Sequence, residues 1–314
     1  MTARSHAKAI VERALVAGGA AAWAAHHRRR GIAILAYHNI VPDGLTAVGD
    51  VSLHLREGDF RRQLDEIGRR FDVVPLTDVL AGPPLSLRPR VAITFDDAFL
   101  GAVTIGVEEL ARRGFPATMF VPPALLGRRP LWWDSFMPHA TASEVGPAPG
   151  VRDHALTVCG GRDARVRDCA AREGWPGRSL PDVALTSTED ELAAALRRHS
   201  GLVLGSHSWS HPNLTRSTET ELLEEMRPPL EWLRQRFDRV IPWLAYPYGL
   251  SSPRTAEAAR DAGYEAAVLV AGGWARPPIR DLFAVPRVNI PAGLSTSGFA
   301  LRVSGVYSPR VRQS

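Results

Sequence analysis

The sequence predicts an α/β protein organised around a parallel sheet, and three observations carry that prediction. The chain has 314 residues, the length of one large domain or two small ones. With 45% apolar and 23% charged residues its composition is globular, which excludes disordered and fibrous classes. From Gly31 onward, short apolar runs alternate with helical patterns, as in a parallel sheet with crossover helices, open or closed into a barrel.

The predicted strands are Ile32–Tyr37, Val91–Phe95, Ala117–Val121, Leu202–Ser206, Trp243–Tyr246 and Ala266–Val270, each a near-continuous apolar or β-branched run. Helices are expected between them. Asp59 can cap a segment with Phe60, Leu64 and Ile67 on one face, and Thr104–Arg113 stops at Gly114. Ser187 with Asp190 opens a helix through His199. Thr218 with Glu221 forms a capping box for a helix that Pro228 and Pro229 must kink or restart. Ser252 followed by Pro253 starts a last helix, stopped by Gly263. The stretch 127–181 breaks the rhythm and is rich in Gly, Pro and Arg. It reads as an insertion over one face, in which Trp132 and Trp133 could stack on a ligand or fill the core.

Composition removes several mechanisms. Lys8 is the only lysine among 38 basic residues, so no phosphate-binding P-loop and no Schiff-base lysine exists in the body of the chain. No Gly-x-Ser-x-Gly elbow occurs. The net charge of +5 comes from arginines scattered among acidic residues, a weak argument for nucleic acid as a partner. Cys159 and Cys169 make no disulfide framework and lack metal-site spacing. Residues 1–30 read as a short helix followed by the basic segment Arg28–Arg30. The apolar run in it is too short to span a bilayer, so it either touches an anionic membrane surface or packs on its own domain. The expected location is cytoplasmic, at the inner face of the membrane if that contact is made.

In parallel α/β folds the chemistry sits at the carboxyl ends of strands. Here those ends deliver His38, the pair Asp96–Asp97, the pair His207 and His211, and Pro247-Tyr248-Gly249. Adjacent carboxylates at a strand end diverge, so one can bind a cation while the other stays free as a base. Either could instead cap the following helix. The two histidines, four apart, lie on one side of a helical turn or form an ordinary surface pair. Together, one carboxylate and two imidazoles make an open three-ligand site for Zn²⁺ or a similar ion, which is a catalytic rather than a structural arrangement.

Thr94-Phe95-Asp96-Asp97, His207-Ser208-Trp209-Ser210-His211 and Ala245-Tyr246-Pro247-Tyr248-Gly249 resemble, in order, the motifs of the NodB-like polysaccharide deacetylases, carbohydrate esterase family 4. The resemblance implies a distorted (β/α)7 barrel over residues 31–314, with 1–30 as a preceding helix and the insertion at about 127–181. It implies Asp96 as general base, Asp97, His207 and His211 as ligands of a divalent metal (Zn²⁺, or Co²⁺ or Ni²⁺), and the backbone N–H of Tyr248 as an oxyanion donor. Two departures stand out. The arginine that many members place before the motif-three proline is Ala245 here, and Arg287 is either its replacement or a surface residue. No histidine follows His211, but Leu35-Ala36-Tyr37-His38-Asn39-Ile40 resembles the permuted poly-N-acetylglucosamine deacetylase branch, which makes His38 the acid.

The expected activity is therefore metal-dependent removal of acetyl groups from an N-acetylated envelope glycan or lipid-linked sugar. A deformylase or cyclic-amide hydrolase on the same scaffold would keep the metal triad and differ in its pocket. A non-catalytic glycan-binding module would have lost the base or a ligand, and none of Asp96, Asp97, His207 and His211 is missing.

Overall fold

In the computed structural model, seven parallel strands close into a barrel. The structure describes residues 3–45, 49–80, 87–136 and 150–307; the part of the predicted insertion at 137–149 and the chain end at 308–314 lie outside them. Ten strands follow in order as β1 Ile32–Tyr37, β2 Asn39–Val41, β3 His54–Arg56, β4 Asp72–Val73, β5 Arg90–Phe95, β6 Ala117–Val121, β7 Leu202–Ser206, β8 Val240–Ala245, β9 Ala266–Gly272 and β10 Val285–Asn289. The barrel runs β1-β10-β9-β8-β7-β6-β5 and closes where β1 pairs with β5 along its whole length, Ile32 opposite Arg90 through Tyr37 opposite Phe95. The short β4 lies beside the start of β5, and β2 pairs with β3 outside the barrel.

The helices are α1 Ala3–Ala17, α2 Ala20–His27, α3 Glu57–Arg70, α4 Val107–Arg113, α5 Trp132–Phe136, α6 Val151–Thr157, α7 Asp163–Glu173, α8 Glu189–Arg198, α9 Glu219–Arg236, α10 Pro253–Asp261 and α11 Thr296–Val303. Alternation along β1 shows why the strands read as continuous apolar runs. Ile32 and Ile34 face the barrel interior with Phe120, Trp243 and Val268, while Leu35 and Tyr37 face outward onto Phe60, Leu64 and Ile67 of α3. Both faces are covered, as parallel sheets require.

Five of the six predicted strands appear within a residue or two, and β8 is shifted, starting three residues earlier at Val240. The barrel strand absent from the prediction is β10, because Pro286 and Arg287 interrupt its apolar pattern. Its register with β9 shifts between Val285 and Arg287, the kind of irregularity that accommodates a proline lacking an N–H.

Two helix starts and one helix interior need correction. Asp59 sits inside the first turn of α3, where it complements the dipole, and the cap position is Arg56. The capping box of α8 is Thr188 with Glu191 rather than Ser187 with Asp190. Pro228 and Pro229 do not interrupt α9, which continues from its Thr218–Glu221 box to Arg236. A proline at 229 deprives the carbonyl of Glu225, four residues back, of its helical donor. That carbonyl instead accepts the N–H of Trp209 at 2.8 Å, so the freed group is spent on the loop that follows β7.

Trp243, enclosed in the barrel interior, tests the packing. Trp243→Ala is expected to lower unfolding free energy by about 3–5 kcal/mol, read from the urea midpoint at unchanged slope.

Candidate active site

Strand register brings the chemistry to one rim. Tyr37 lies opposite Phe95, and Val121 opposite Ser206, so the residues following these strand ends, His38, Asp96 and His207, share a level. Two backbone bonds continue the ladders there: Asp96 N–H to Tyr37 at 3.0 Å, and His207 N–H to Val121 at 2.9 Å. A cavity of about 290 Å³ opens at this rim, lined by His38, Asp96, Asp97, His207, His211 and Tyr248. All six predicted site residues are thus brought together.

The predicted helical turn for the His pair is not formed. Residues 207–213 are an irregular loop in which Ser208 (φ 60) and His211 (φ 59) are left-handed. Local and distant bonds hold it. Ser208 Oγ accepts the N–H of His211 at 3.0 Å, and buried Glu225 accepts both the N–H (2.8 Å) and the hydroxyl of Ser210. With the Glu225 carbonyl on Trp209, one residue of α9 therefore grips the loop through three bonds. Asp97 (φ 70), Ala98 (φ 51) and Tyr248 (φ 58) are also left-handed, so five of six such non-glycine residues among those described cluster at the site.

The donor set fits a divalent cation. His207 Nδ1 donates to the carbonyl of Ala245 at 2.7 Å, which leaves Nε2 with its lone pair toward the cavity. His207 Nε2, His211 Nε2 and Asp97 Oδ1 form a triangle with edges of 3.1, 3.3 and 3.4 Å. Ligands at zinc bond lengths in a tetrahedron would be separated by about 3.3–3.5 Å. Asp97 Oδ1 is buried without a hydrogen-bond partner, an orphan acceptor aimed at the other two atoms. Burial, with His207 beside it, pushes His211 down to about 3, which favours its neutral form. Burial also opposes charge on His207, but Asp96 and Asp97 outweigh it and raise its pKa.

Arg287 resolves the missing arginine. Its side chain is fully enclosed, not on the surface, and forms a two-pronged pair with Asp96: Nη1 to Oδ1 at 2.8 Å and Nη2 to Oδ2 at 2.7 Å. Its remaining donors reach the Thr94 hydroxyl at 2.9 Å and the carbonyl of Leu269 at 2.6 Å. Burial alone would raise the Asp96 pKa; Arg287, with His207 and His38, outweighs it and holds the carboxyl well below the usual range. For Asp97, burial is likewise outweighed by His211 and His207, with a smaller contribution from His38.

Trp132 and Trp133 are both buried, but only Trp133 lines the cavity, its ring 4.8 Å from that of His211. Trp132 lies behind and donates its indole N–H to the hydroxyl of Tyr248 at 2.9 Å. The Tyr248 ring sits edge-on to His211 at 4.5 Å. Its hydroxyl also reaches the carbonyl of Gly161 (3.3 Å), in the turn after α6. Cys159 and Cys169 flank that turn, their sulfurs 2.7 Å apart, and His154 is near enough to complete a three-ligand cluster that sequence spacing did not suggest. Burial pushes the Cys159 thiol up to about 12, the behaviour of an inert packing residue.

Sequence reasoning missed Glu225 and four polar residues of the cavity, Asp50, Ser52, Arg152 and Asn289. Asn289 ends β10 beside Ala36 of β1, so it escapes notice for the same reason that β10 does. The loop bearing Asp50 is placed by buried Asp134, which accepts the Asp50 N–H (2.9 Å) and pairs with His54 (3.0 Å), contacts no local pattern encodes.

Glu225→Ala is expected to leave the fold intact but free the His207–His211 loop, weakening binding of a divalent ion about 10- to 100-fold. Competition titration against a chromogenic chelator measures this, and an unchanged affinity would show that Glu225 plays no part in holding the ligands.

The polysaccharide deacetylase family profile matches residues 173–267, which contain His207, His211 and Tyr248. No curated protein matches the chain. Among solved structures, the Streptococcus pyogenes deacetylase PplD in complex with acetate is 17% identical with a TM-score of 0.59, covering 87% of this chain and 98% of that one. IcaB from Ammonifex degensii is 18% identical with a TM-score of 0.60, covering 88% and 97%. The BpsB deacetylase domain from Bordetella bronchiseptica is 16% identical with a TM-score of 0.54, covering 83% and 96%. At these identities the structural likeness concerns the fold, a barrel spanning nearly the whole of each neighbour. The family profile thus covers two of the three motifs, those at 207–211 and 245–249, and the solved structures share the fold.

Proposed function

We propose that this protein is a metal-dependent deacetylase that removes acetyl groups from an N-acetylated sugar of an envelope polysaccharide or a lipid-linked oligosaccharide. The observation that carries the reading is the convergence of Asp97, His207 and His211 at the cavity, with Asp96 clamped beside them by Arg287. Zn²⁺, Co²⁺ or Ni²⁺ held by that triad would supply Lewis acidity, lowering the pKa of water and polarising the acetyl carbonyl.

The protein's own groups account for the proton transfers and the orientation. Asp96, kept ionised and fixed in direction by Arg287, accepts a proton from the attacking water. The new C–O bond forms at the acetyl carbon, and the negative charge that develops on its oxygen is met by the backbone N–H of Tyr248. His38 donates a proton to the sugar nitrogen as the C–N bond breaks, releasing acetate and a free amine. His207 and His211 cannot supply that proton while they serve as neutral ligands. Trp133, Arg152, Asp50 and Asn289 form the walls against which the sugar lies.

Acetate release from N-acetylated oligosaccharides by metal-loaded protein tests the reading directly. Expected are about one bound ion per chain and loss of most of it in His207→Ala and His211→Ala. Asp96→Asn is expected to keep the ion and lose about 10²–10⁴-fold in rate. A wild-type chain that takes up no Zn²⁺, Co²⁺ or Ni²⁺ would sink the proposal.

His38→Ala separates the acid from the rest of the site. An amine cannot depart unprotonated, whereas an activated ester leaves readily. The variant is expected to retain metal and slow amide hydrolysis far more than hydrolysis of an activated acetate ester. Equal loss on both substrates would mean that His38 is structural.

A further inference from the structure

Charge is not spread evenly along this chain. Residues 1–42 hold six basic residues against one acidic, Glu12, and so carry the whole net charge of +5; residues 43–314 balance at 32 of each sign. The scatter expected from the sequence therefore conceals a cationic N-terminal segment. Nor does that segment form one helix. Gly18 and Gly19 break it into α1 and α2, with Gly19 left-handed at φ 80, and both helices pack on α11 through Leu15, Val16 and Ala21.

The packing turns α1 opposite to what a soluble helix requires. Its one acidic side chain, Glu12, faces inward, buried, and accepts the hydroxyl of Ser295 at 2.6 Å. Its outward face is Ala7, Ile10, Val11, Ala14 and Ala17, spaced three and four apart, so the apolar stripe points to solvent. Ile10 is 66% exposed, Val11 54%, and Trp23 on α2 65%. Lys8, Arg13 and Arg30 are exposed around them, as are His26 and His27. No helix among the described residues is long and apolar enough to cross a membrane.

We infer that the outer face of α1 and α2 is a docking surface for an anionic lipid bilayer. Exposed aliphatic side chains gain by entering the acyl boundary, a tryptophan suits the interface, and the exposed Arg13 and Arg30, with Lys8, which also pairs with Glu12 at 3.7 Å, offer cations to anionic headgroups. Nucleic acid fits less well, since Ile10 and Val11 offer nothing for bases to stack on. The inference is independent of the proposed reaction, because the surface is built from residues outside the barrel and away from the cavity lining.

The full chain is to be sedimented with vesicles of phosphatidylcholine, with and without phosphatidylglycerol. Binding is expected only with phosphatidylglycerol, falling as salt rises. Ile10→Asp and Trp23→Asp are each expected to lower partitioning about tenfold or more, and Arg13→Gln about fivefold. Circular dichroism and metal content should stay at wild-type values, since all three side chains are exposed. Absence of sedimentation with anionic vesicles, or binding that these substitutions leave unchanged, overturns the inference. So does a dimer in light scattering that Ile10→Asp dissociates without any vesicle binding, which would assign the face to a second copy of the chain.

Discussion

A guanidinium enclosed within the mouth of a barrel is tolerable only if its charge and its donors are matched, and Arg287 is matched by Asp96. The pair ties the last barrel strand to the strand bearing the acidic motif, across β1, which lies between them. Removing either partner would strand the other as a buried charge, at a cost of about 3–5 kcal/mol. The same contact sets the state of Asp96. Burial would favour the neutral acid, and Arg287 reverses that balance, so the carboxylate presented to the cavity is ionised and fixed in direction. The bridge from β10 to the end of β5 and the ionised state of Asp96 thus rest on one interaction.

Around this pair the backbone departs from relaxed geometry where side chains must be aimed. Left-handed Asp97, Ala98, Ser208, His211 and Tyr248 each carry strain, of order 1–3 kcal/mol per residue. The surrounding bonds hold it in place. The Ala98 carbonyl accepts the N–H of Ser187 at 2.9 Å, and the 207–211 loop is gripped by Glu225. Pro229 is part of this arrangement: a missing helix donor becomes an anchor for the loop that carries His207 and His211. A tandem proline that looks like a helix breaker is in effect a fixture of the site.

The segment between β6 and β7, read from the sequence as an insertion over one face, helps to line the cavity. Trp133 from α5 and Arg152 from α6 line it, and the turn after α6 lies against Tyr248 so closely that a side chain at Gly161 would strike the tyrosine ring at 2.9 Å. The Cys159–Cys169 contact packs that turn from behind. The walls of the cavity are therefore drawn in part from this segment, while Asp96, Asp97 and His207 come from the strand ends.

Local patterns were enough to locate six of the seven barrel strands and the order of elements, because strands buried on both faces must be apolar throughout. The same patterns placed Asp96, Asp97, His207, His211, His38 and Tyr248 at strand ends, where parallel folds do their chemistry. They could not reveal β10, whose Pro286 and Arg287 erase the apolar signal, nor show that Arg287 points inward to Asp96. Nor could they show that Glu225, on a helix face, grips a loop 15 residues earlier, or that α1 turns its apolar stripe outward. Each of these is a pairing between groups distant along the chain. Periodicity records how buried a position is; which partner a buried charge or a freed carbonyl meets is decided only when the barrel closes.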